Sequence, residues 1–579
     1  MHHGSHCAAL VLGLLLSGCQ PAQQAAAPVS TPATATTPVA SFDWFDYQGK
    51  DPIFAAPLPA GTFQNPVLAG FYPDPSITRR GDDYYMVASS FTYAPGLPIL
   101  HSRDLVNWTL LSYALTRPTQ MDFAGLQVSR GIFAPTMRYH QGTFYLITTV
   151  VDRGGNFILT ASDPAGPWSD PIWLPEIEGI DPDIFFDDDG KVYIAHNGEA
   201  PGTALYEGHR AIWLWEYDSV AKKVLPQSQK LLVNGGVDLS AKPIWIEAPH
   251  LYKVDGWYYL LCAEGGTADQ HSAVIFRTKS LNEPFVPHTV NPILTQRDLP
   301  ADRPDPITTA GHADFVQTPD GDWWAVFLAT RTYDQIYFNS GRETFLLPVS
   351  WVDGWPLILK QGETIPYRPA VPKVLAAAAG NAQPSPLTGN FNWRDEFSSK
   401  ELDLQWNVLR EFDQSWLKLD DDKLQIQAKP AGLDRMLQPA FVSRRQQHMH
   451  YESSTQLQVP AAGISAGMVA FQNEQYHYYL GVRQQADQTQ VFLEQAAGAA
   501  PKQLLSQKLP AAANVKLKIS GQAGQISFYY AADNGEWQQL GPVQDGKLLS
   551  TQVATGFVGT MLGLYSRQER PASTTGTPK

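Results

Sequence analysis

The feature that most constrains the fold is a segment of 16 residues that recurs five times in the middle of the chain. Each copy starts at an alanine, aspartate or histidine, continues as an apolar run, turns at a glycine and ends in aromatic and apolar residues. The copies are DPSITRRGDDYYMVAS from Asp74, APTMRYHQGTFYLITT from Ala134, DPDIFFDDDGKVYIAH from Asp181, APHLYKVDGWYYLLCA from Ala248 and HADFVQTPDGDWWAVF from His312. A glycine turn between two β-rich runs predicts a β-hairpin in each copy.

The spacing of the copies predicts how the hairpins are arranged. Their turn glycines are separated by 61, 48, 66 and 65 residues, at Gly81, Gly142, Gly190, Gly256 and Gly321. This spacing leaves room for two further strands in each unit, and four-stranded units repeated around an axis are the blades of a β-propeller. The sequence therefore predicts an all-β chain with a five-bladed β-propeller over residues 61–368. A β-helix or a sandwich is the alternative, but its periods would be shorter.

Acidic residues stand near the start of three of the repeats. The innermost strand of each blade lines the central channel, so the first residues of the repeats should meet at one end of that channel. These positions hold Asp74, Ala134, Asp181, Glu247 and His312. Burying like charges together is costly, because each raises the pKa of the others. A single acid beside a proline would indicate turn capping, whereas three from different blades indicate a functional site.

Three convergent acids have two common uses. Two carboxyl groups on either side of a scissile bond catalyse glycoside hydrolysis, and a third can orient the proton donor and keep its pKa high. The competing use is a hard cation such as Ca²⁺. The net charge of −14 argues against a nucleic-acid partner. The 16 tryptophans and 24 tyrosines could stack on sugar rings, although the same side chains also fill cores.

The propeller region resembles family 43 glycoside hydrolases of the β-xylosidase and α-L-arabinofuranosidase type. The segments that carry this resemblance are NPVLAGFYPDPSI (65–77), SSFTYAPGLPILHSRDLVNW (89–108), GIFAPTMRYHQGTFYLITT (131–149), GIDPDIFFDDDGKVYIAHN (179–197), IEAPHLYKVDGWYYLL (246–261), GHADFVQTPDGDWW (311–324) and GRETFLLPVSW (341–351). The resemblance implies that Asp74 is the general base, Glu247 the general acid and Asp181 the group that orients the acid and raises its pKa. It also implies inversion by single displacement, with the base and the acid about 6.5–9.5 Å apart.

The same resemblance implies further residues of a sugar pocket. Arg342 resembles an arginine that hydrogen-bonds the terminal sugar, and the alternative is a structural ion pair with Glu343. His312 resembles a channel histidine that contacts the site or, through water, a structural Ca²⁺; the alternative is a histidine satisfied within the core. Phe91 resembles a wall of the pocket, and Phe133 stands where Trp is expected, with core packing as the alternative for both. The chemistry itself implies no cofactor.

The C-terminal part of the chain has a different texture. Residues 369–390 are rich in Ala, Pro, Ser and Gly and predict a linker. Residues 391–568 contain alternating strands, resemble the concanavalin-A-like β-sandwich fused to many β-xylosidases of this family, and precede a tail at 569–579. The resemblance implies that Phe557 enters the active-site mouth and makes the enzyme exo-acting. The alternatives are a domain that only covers the propeller, or one that binds sugar through Trp393, Trp406, Trp416 or Tyr478.

The N-terminus predicts export. Residues 1–19 resemble a lipoprotein-type signal peptide that ends in a box whose Cys19 becomes lipidated. A non-lipidated signal peptide is the alternative, because the region before the apolar run carries histidines but no Lys or Arg. Residues 20–60 predict a tether and lead-in. We therefore expect an exported bacterial protein, periplasmic or at the cell surface, held to the membrane only through Cys19. Cys262 is then a lone thiol, buried in a strand.

These observations predict an exo-acting, inverting glycoside hydrolase that releases terminal β-1,4-linked xylose. Its substrates would be xylo-oligosaccharides or arabinose-substituted xylan. The close alternative is an α-L-arabinofuranosidase, or a dual enzyme, because the two terminal pentoses present similar hydroxyl patterns. A non-catalytic carbohydrate-binding propeller is the alternative from another class, and the presence of all three acids argues against it. The oligomeric state stays open.

Overall fold

A computed structural model describes residues 38–374, 387–485 and 488–569. Nearly all regular structure in these ranges is β-strand. The predicted signal peptide, with Cys19, and most of the predicted tether lie outside the described residues. In the described ranges no helix is long and apolar enough to cross a membrane.

The N-terminal strand and the propeller account for the first 25 strands. In chain order they are β1 (Val39–Gly49), β2 (Ser76–Arg80), β3 (Asp83–Val87), β4 (Tyr93–Ala94), β5 (Gly96–Ser102), β6 (Thr109–Leu115), β7 (Gly131–Ile132), β8 (Thr136–His140), β9 (Thr143–Val151), β10 (Gly155–Ala161), β11 (Ile172–Trp173), β12 (Ile180–Phe186), β13 (Val192–Glu199), β14 (Arg210–Asp218), β15 (Lys223–Val224), β16 (Lys230–Asn234), β17 (Glu247–Val254), β18 (Trp257–Glu264), β19 (Ser272–Thr278), β20 (Val286–Pro287), β21 (Leu294–Thr295), β22 (Ile307–Gln317), β23 (Trp323–Arg331), β24 (Glu343–Val352) and β25 (Trp355–Leu357). Short 3₁₀ helices occupy Pro52–Phe54 and Leu239–Ala241.

Five antiparallel sheets of four or five strands form the blades. They are β2-β3-β5-β6, then β9-β10-β11 with β7 and β8, β12-β13-β14 with β15 and β16, β17-β18-β19 with β20 and β21, and β22-β23-β24-β25. The five predicted hairpins are β2–β3, β8–β9, β12–β13, β17–β18 and β22–β23. The first strand of each hairpin contacts the first strand of the next blade, and β22 closes the ring against β2. The prediction of a five-bladed propeller is confirmed.

The blades pack because each one is apolar on both faces. In β18, Tyr259 and Leu261 belong to the core shared with the fifth blade, whereas Leu260 and Cys262 belong to the core shared with the third. This division follows from the alternation of side chains along a strand. Five such cores lie between successive blades. Cys262 is fully buried, as predicted.

The C-terminal domain contains the remaining strands. They are β26 (Asn392–Asp395), β27 (Asn407–Leu409), β28 (Leu417–Asp420), β29 (Lys423–Gln427), β30 (Ala440–Arg445), β31 (His450–Gln458), β32 (Ile464–Asn473), β33 (Tyr476–Gln485), β34 (Gln488–Ala497), β35 (Lys502–Lys508), β36 (Asn514–Gln522), β37 (Gln525–Ala532), β38 (Gln538–Gln539), β39 (Gln544–Asp545) and β40 (Met561–Gln568). A 3₁₀ helix at Gly546–Leu549 and an α-helix, α1, at Thr551–Ala554 precede the last strand.

These strands form two sheets around one apolar core. The nine-stranded sheet has the order β28-β29-β1-β31-β36-β37-β38, with β26 and β39 beside it, and the eight-stranded sheet has the order β35-β34-β33-β32-β40-β30-β27-β4. The predicted alternation is present: Leu424 and Ile426 in β29 and Leu517 in β36 are fully buried in the core between the sheets. The predicted β-sandwich is confirmed.

One strand of the sandwich comes from the predicted lead-in. Strand β1 lies between β29 and β31, and its Phe42, Phe45 and Tyr47 are fully buried. The prediction that residues 20–60 form only a tether and lead-in is therefore wrong for Val39–Gly49. The strand pairs with residues hundreds of positions later in the chain, so the local pattern does not reveal its partners.

The two domains also share strands and an apolar interface. Strand β4, which follows the first hairpin, pairs with β27 and so extends the eight-stranded sheet. Phe71, Phe91 and Tyr93 of the propeller share an interface core with Phe441 and Phe471 of the sandwich. Most of the predicted linker, residues 375–386, lies outside the described residues. The shared strand and core hold the sandwich against one end of the propeller.

A buried ionic cluster ties the same interface together. Arg331 donates hydrogen bonds to Glu343 at 2.7 and 2.8 Å and to Asp51 at 2.7 Å, and a fourth goes to the backbone carbonyl of Gln447. All four nitrogen–oxygen contacts are buried, so the charge of Arg331 is compensated within the protein. The cluster joins the lead-in, the fifth blade and the sandwich next to Arg342.

Candidate active site

The eight predicted site residues surround one cavity of about 360 Å³. It lies where the innermost strands begin, and a loop of the sandwich contributes to its wall. The lining residues are Asp74, Phe91, Arg130, Phe133, Ala134, Ile180, Asp181, Trp245, Glu247, Gly266, Thr267, His312, Arg342 and Phe557. The structure therefore brings together every side chain that the repeats and the resemblance singled out.

The backbone explains how the repeats aim their first residues into the cavity. Asp74 and Asp181 have φ of 54°, and Ala248 and His312 have φ of 50°, so these four positions share the left-handed conformation. Such a conformation costs of order 1–3 kcal/mol in a residue other than glycine and is concentrated at functional sites. Ala248 is thus the position equivalent to Asp74, and Glu247 stands one residue earlier. A register shift between Glu247 and the third residue after it accompanies this placement.

The carboxylate of Asp74 is held in its ionised form. Ser89 donates a hydrogen bond of 2.6 Å to Oδ2, and Arg342 donates bonds of 2.9 and 3.4 Å to the two oxygens. Nδ1 of His312 lies 3.7 Å from Oδ1. Burial raises the pKa of Asp74, but its interactions with Arg342, His312 and Ser89 outweigh burial and lower this pKa below its usual value. Asp74 is therefore poised to accept a proton.

The pKa values of the other two acids are raised, which favours their protonated forms. Burial, followed by the charge of Asp74, raises the pKa of Glu247 to about 7. Burial and the charges of Glu247 and Asp74 raise the pKa of Asp181 well above its usual value. The environments of Asp74 and Glu247 thus push their pKa values apart, which is the usual signature of a base and an acid that act together. The charge that raises the pKa of Glu247 comes from Asp74.

Arg342 contacts Asp74 and not Glu343, the neighbouring acid that the alternative interpretation paired with it. Its Nη1 donates to Asp74 and, at 3.1 Å, to Oγ1 of Thr267. Glu343 is bound instead by Arg331. The alternative interpretation, an ion pair between Arg342 and Glu343, is therefore wrong. Nε of Arg342 is buried without a hydrogen-bond partner.

Three phenylalanines form one wall of the cavity. The ring of Phe91 lies 5.4 Å from that of Phe133 and 6.2 Å from that of Phe557, and Phe133 and Phe557 are 5.8 Å apart. Phe91 also belongs to the interface core, so core packing and pocket lining are both correct for it. Phe557 comes from the sandwich, and Oγ of Ser129 accepts a hydrogen bond of 3.0 Å from its backbone N–H. The sandwich thus shapes the cavity.

His312 and the charged residues of the channel bear on the predicted Ca²⁺. Burial lowers the pKa of His312 to about 3, so its imidazole is neutral. Deeper in the channel, the guanidinium of Arg138 lies 3.0 Å from Asp183 and 2.8 Å from Asp314, both fully buried. An internal cation therefore already compensates these carboxylates. No group of three metal-ligating side chains occurs in the described residues, and the water-mediated Ca²⁺ at His312 stays a prediction.

Three of the four predicted sugar-stacking residues of the sandwich do not face solvent. Trp406 and Trp416 are 3% and 5% exposed and Tyr478 is fully buried. Trp393 is half-buried and packs against the same core. Sugar binding by the sandwich through Trp406, Trp416 or Tyr478 is therefore wrong as an alternative, because these rings are needed between the sheets.

Three polar or aromatic residues of the cavity were not predicted from the sequence. Arg130 pairs with Asp152 at 2.6 and 2.8 Å, Thr267 accepts from Arg342, and Trp245 is 39% exposed. Arg130 and Thr267 stand outside the repeats, where no pattern marks them. Trp245 has a usable signal, since it lies two positions before Glu247.

The sequence also contains a serine motif. Residues 463–467 read G-I-S-A-G, the pattern of a nucleophile elbow. Ser465 lies within β32, is fully buried and pairs with Arg483 of β33 in the middle of a sheet. An elbow requires a sharp turn from a strand into a helix with the serine exposed, so this match is accidental.

The fold and the cavity define a glycosidase built from a five-bladed propeller and a covering β-sandwich. The family model "Glycosyl hydrolases family 43" matches residues 63–356, and the model "Beta xylosidase C-terminal Concanavalin A-like domain" matches residues 394–576. The chain therefore belongs to glycoside hydrolase family 43.

Relatives match along most of the chain. A "Xylosidase/arabinosidase" of Butyrivibrio fibrisolvens is 37% identical, with 87% of this chain and 95% of that protein covered. The "Non-reducing end alpha-L-arabinofuranosidase BoGH43B" of Bacteroides ovatus is 34% identical, with 89% and 93% covered. The crystal structure of a GH43_12 retrieved from capybara gut metagenome has a TM-score of 0.86 at 37% identity and covers 92% of this chain and 100% of that one. The xylan beta-1,4-xylosidase of Bacillus halodurans has a TM-score of 0.77 at 32% identity, with 87% and 97% covered.

Proposed function

We propose that this enzyme is an exo-acting, inverting glycosidase that releases terminal β-1,4-linked xylose from the non-reducing ends of xylo-oligosaccharides and xylan. The observation that carries the proposal is that the pKa values of two carboxyls in one cavity are shifted in opposite directions. The pKa of Asp74 is lowered and that of Glu247 is raised to about 7. A base and an acid on either side of a scissile bond need these states before the reaction starts.

The reaction follows from these states. A water between Asp74 and the anomeric carbon attacks that carbon while Asp74 takes one of its protons. The bond from the anomeric carbon to the glycosidic oxygen breaks, and Glu247 gives its proton to the departing oxygen. Attack from the face opposite the leaving group inverts the anomeric configuration. Both carboxyls then exchange a proton with water to restore their starting states.

Two further residues support the chemistry at the terminal sugar. Arg342 keeps Asp74 ionised and lines the cavity beside it, where its guanidinium can donate a hydrogen bond to a sugar hydroxyl. Asp181 lies in the same cavity, and its own pKa is raised. We assign it the role that the resemblance implies, which is to orient Glu247 and to raise the pKa of that acid.

The size and the walls of the cavity support exo action. About 360 Å³ is at the lower end of the range of small-molecule pockets. Phe557 of the sandwich closes one side against Phe91 and Phe133, so the site is a pocket and not an open groove. A pocket accepts the end of a chain and excludes its middle.

The second candidate activity is removal of terminal α-L-arabinofuranosyl residues, alone or beside xylosidase activity. The observation that favours it is the naming of two similar proteins, one as xylosidase/arabinosidase and one as non-reducing end alpha-L-arabinofuranosidase. A non-catalytic sugar-binding propeller is disfavoured, because two carboxyls whose pKa values are shifted in opposite directions would serve no purpose in a protein that only binds sugar.

An activity panel tests these candidates. The full chain is assayed on p-nitrophenyl β-D-xyloside and p-nitrophenyl α-L-arabinofuranoside, with Glu247→Gln as the matched inactive variant. We expect the xyloside to be the better substrate and Glu247→Gln to lose most of the activity. A better arabinofuranoside identifies the second candidate. Activity on neither substrate, or activity unchanged in Glu247→Gln, contradicts the proposal.

We further propose that the enzyme is exported and lipid-anchored through Cys19. The support is the sequence pattern of residues 1–19, which lies outside the described structure. Labelling of cells with a fatty-acid analogue should mark the wild-type protein and leave a Cys19→Ala variant unmarked. An unlabelled wild-type protein contradicts the proposal.

A further inference from the structure

Trp245 is an aromatic residue at the mouth of the cavity, away from the wall of three phenylalanines. Its side chain is 39% exposed, whereas Asp74, Asp181 and Arg342 are 4%, 7% and 8% exposed. These values place the acids and the arginine at the deep end of the cavity and Trp245 at its rim. A large apolar side chain left in solvent at the edge of a pocket is a feature of ligand sites.

The loop that carries Trp245 is held from both sides. The backbone N–H of Trp245 donates a bond of 2.9 Å to Gly208, and the carbonyl of Ile244 accepts one of 2.9 Å from Gly265. A Cβ on Gly208 would lie 3.0 Å from Cβ of Ile244, so the two loops touch closely. Trp245 itself has a left-handed φ of 51°, a conformation that persists only where the surroundings hold it. The ring is therefore preorganised.

Arg210 supports the indole ring. Its Cζ lies 5.1 Å from the centre of the ring, within the range of a cation–π contact. The guanidinium is held by Oδ1 of Asn197 at 3.1 and 3.3 Å and by Glu199. Nδ2 of Asn197 also donates a bond of 2.6 Å to the carbonyl of Ile246, next to Glu247. Arg210 does not line the cavity, so it contacts the ring from outside the cavity.

The position of Trp245 selects the part of the substrate that can meet it. In a pocket that takes a chain end, the terminal sugar occupies the deep end and the rest of the chain leaves through the mouth. Glu247 must reach the glycosidic oxygen that joins the terminal sugar to the next one. Trp245 lies two positions before Glu247, and two residues of chain span at most about 7 Å. Trp245 therefore lies close to that junction and on its outer side.

We propose that Trp245 is the stacking platform for the first sugar on the leaving-group side of the scissile bond, and that Arg210 is the positioning residue that fixes the platform. The ligand class is a pyranose that presents a face of C–H bonds to the indole ring. This inference rests on the proposed function and adds to it the residue that selects sugar leaving groups.

Two substrates with the same terminal sugar test the proposal. Xylobiose has a sugar leaving group, whereas β-D-xylosyl fluoride has a leaving group that cannot reach Trp245. We expect Trp245→Ala to lower kcat/KM on xylobiose about 10-fold or more and to leave kcat/KM on the fluoride within about 2-fold. Trp245→Phe, the matched control that keeps an aromatic ring, should retain most of the activity on xylobiose.

Other results would overturn the proposal. Equal losses on both substrates would place Trp245 in the terminal-sugar site or in the fold, and no loss on xylobiose would remove it from recognition. If wild-type enzyme cleaves neither substrate, the proposed function itself fails, whatever Trp245 does.

Arg210→Met tests the support without removing the ring, and it covers the case in which Trp245→Ala does not fold. It should lower kcat/KM on xylobiose and spare the fluoride, as Trp245→Ala does. Because Arg210 also lowers the pKa of Glu247, the alkaline limb of the pH profile should move to higher pH. An Arg210→Met enzyme that loses activity equally on both substrates contradicts the role assigned to Arg210.

Discussion

Arg342 donates a hydrogen bond of 2.9 Å to Oδ1 of Asp74, and both side chains are at least nine-tenths buried. The contact joins the fifth blade to the start of the first, and it keeps a carboxylate ionised in surroundings that would otherwise protonate it. The same guanidinium lies 5.5 Å from the ring centre of Phe557. Arg342 therefore contacts both Asp74 and Phe557, the residue that the sandwich contributes to the pocket wall.

Arg342→Ala should shift both limbs of the pH profile of kcat/KM to higher pH. Arg342 lowers the pKa of Asp74 and also that of Glu247, so its loss raises both. Asp74 acts when ionised, so activity would begin at a higher pH, and Glu247 acts when protonated, so activity would persist to a higher pH. The measurement is kcat/KM on xylobiose from pH 4 to 9, with Arg103→Ala, an exposed arginine, as the control. An unshifted acid limb contradicts the role of Arg342.

The assigned acid and base should respond differently to the leaving group. Glu247→Ala should lose about 10²–10⁴-fold in kcat/KM on xylobiose and far less on β-D-xylosyl fluoride, because fluoride departs without a full proton transfer. Asp74→Asn should lose a similar factor on both substrates, because both need an activated water. Steady-state kinetics on the two substrates distinguishes the roles, and the opposite pattern would exchange them.

Phe557→Ala should weaken the binding of short substrates. The ring closes the pocket against Phe91 and Phe133, and its removal leaves the terminal sugar less enclosed. We expect KM for xylobiose to rise about 10-fold, the effect of losing roughly 1.4 kcal/mol of binding. Phe557→Tyr keeps the ring and serves as the control. An unchanged KM for xylobiose would remove the sandwich from substrate binding.

Chelation should leave the activity unchanged. The guanidinium of Arg138 compensates Asp183 and Asp314 in the channel, so these carboxylates do not need a cation. Dialysis against EDTA, followed by assays with and without added Ca²⁺, is the measurement. A loss of activity that Ca²⁺ restores would show that a cation binds elsewhere and matters.

Much of this arrangement could be predicted from the sequence because it is local. Each hairpin needs only its own alternation and turn glycine, and the shared start of the repeats then placed Asp74, Asp181 and Glu247 at one end of the channel. The side chains that hold the site could not be predicted in this way. Arg210 and Trp245 come from different blades, and the pairing of Arg331 with Glu343 depends on Asp51 arriving from the lead-in.

Strand β1 shows the same limit at the level of the fold. Phe45 and Tyr47 have the spacing of a strand, and a register shift after Phe42 brings that ring into the same core. The partners of this strand in β29 and β31 lie far along the chain. Composition just before this segment, rich in Ala, Pro and Thr, favours a tether. Only the closure of the sandwich shows that the segment is structural.

The central claim is that Asp74 and Glu247 hydrolyse a terminal xyloside by single displacement. The most direct measurement is proton NMR of the first product during hydrolysis of xylotriose at high enzyme concentration, before mutarotation. The account predicts that α-xylose appears first and xylobiose accumulates beside it. Initial release of β-xylose, or of internal fragments without free xylose, would contradict it.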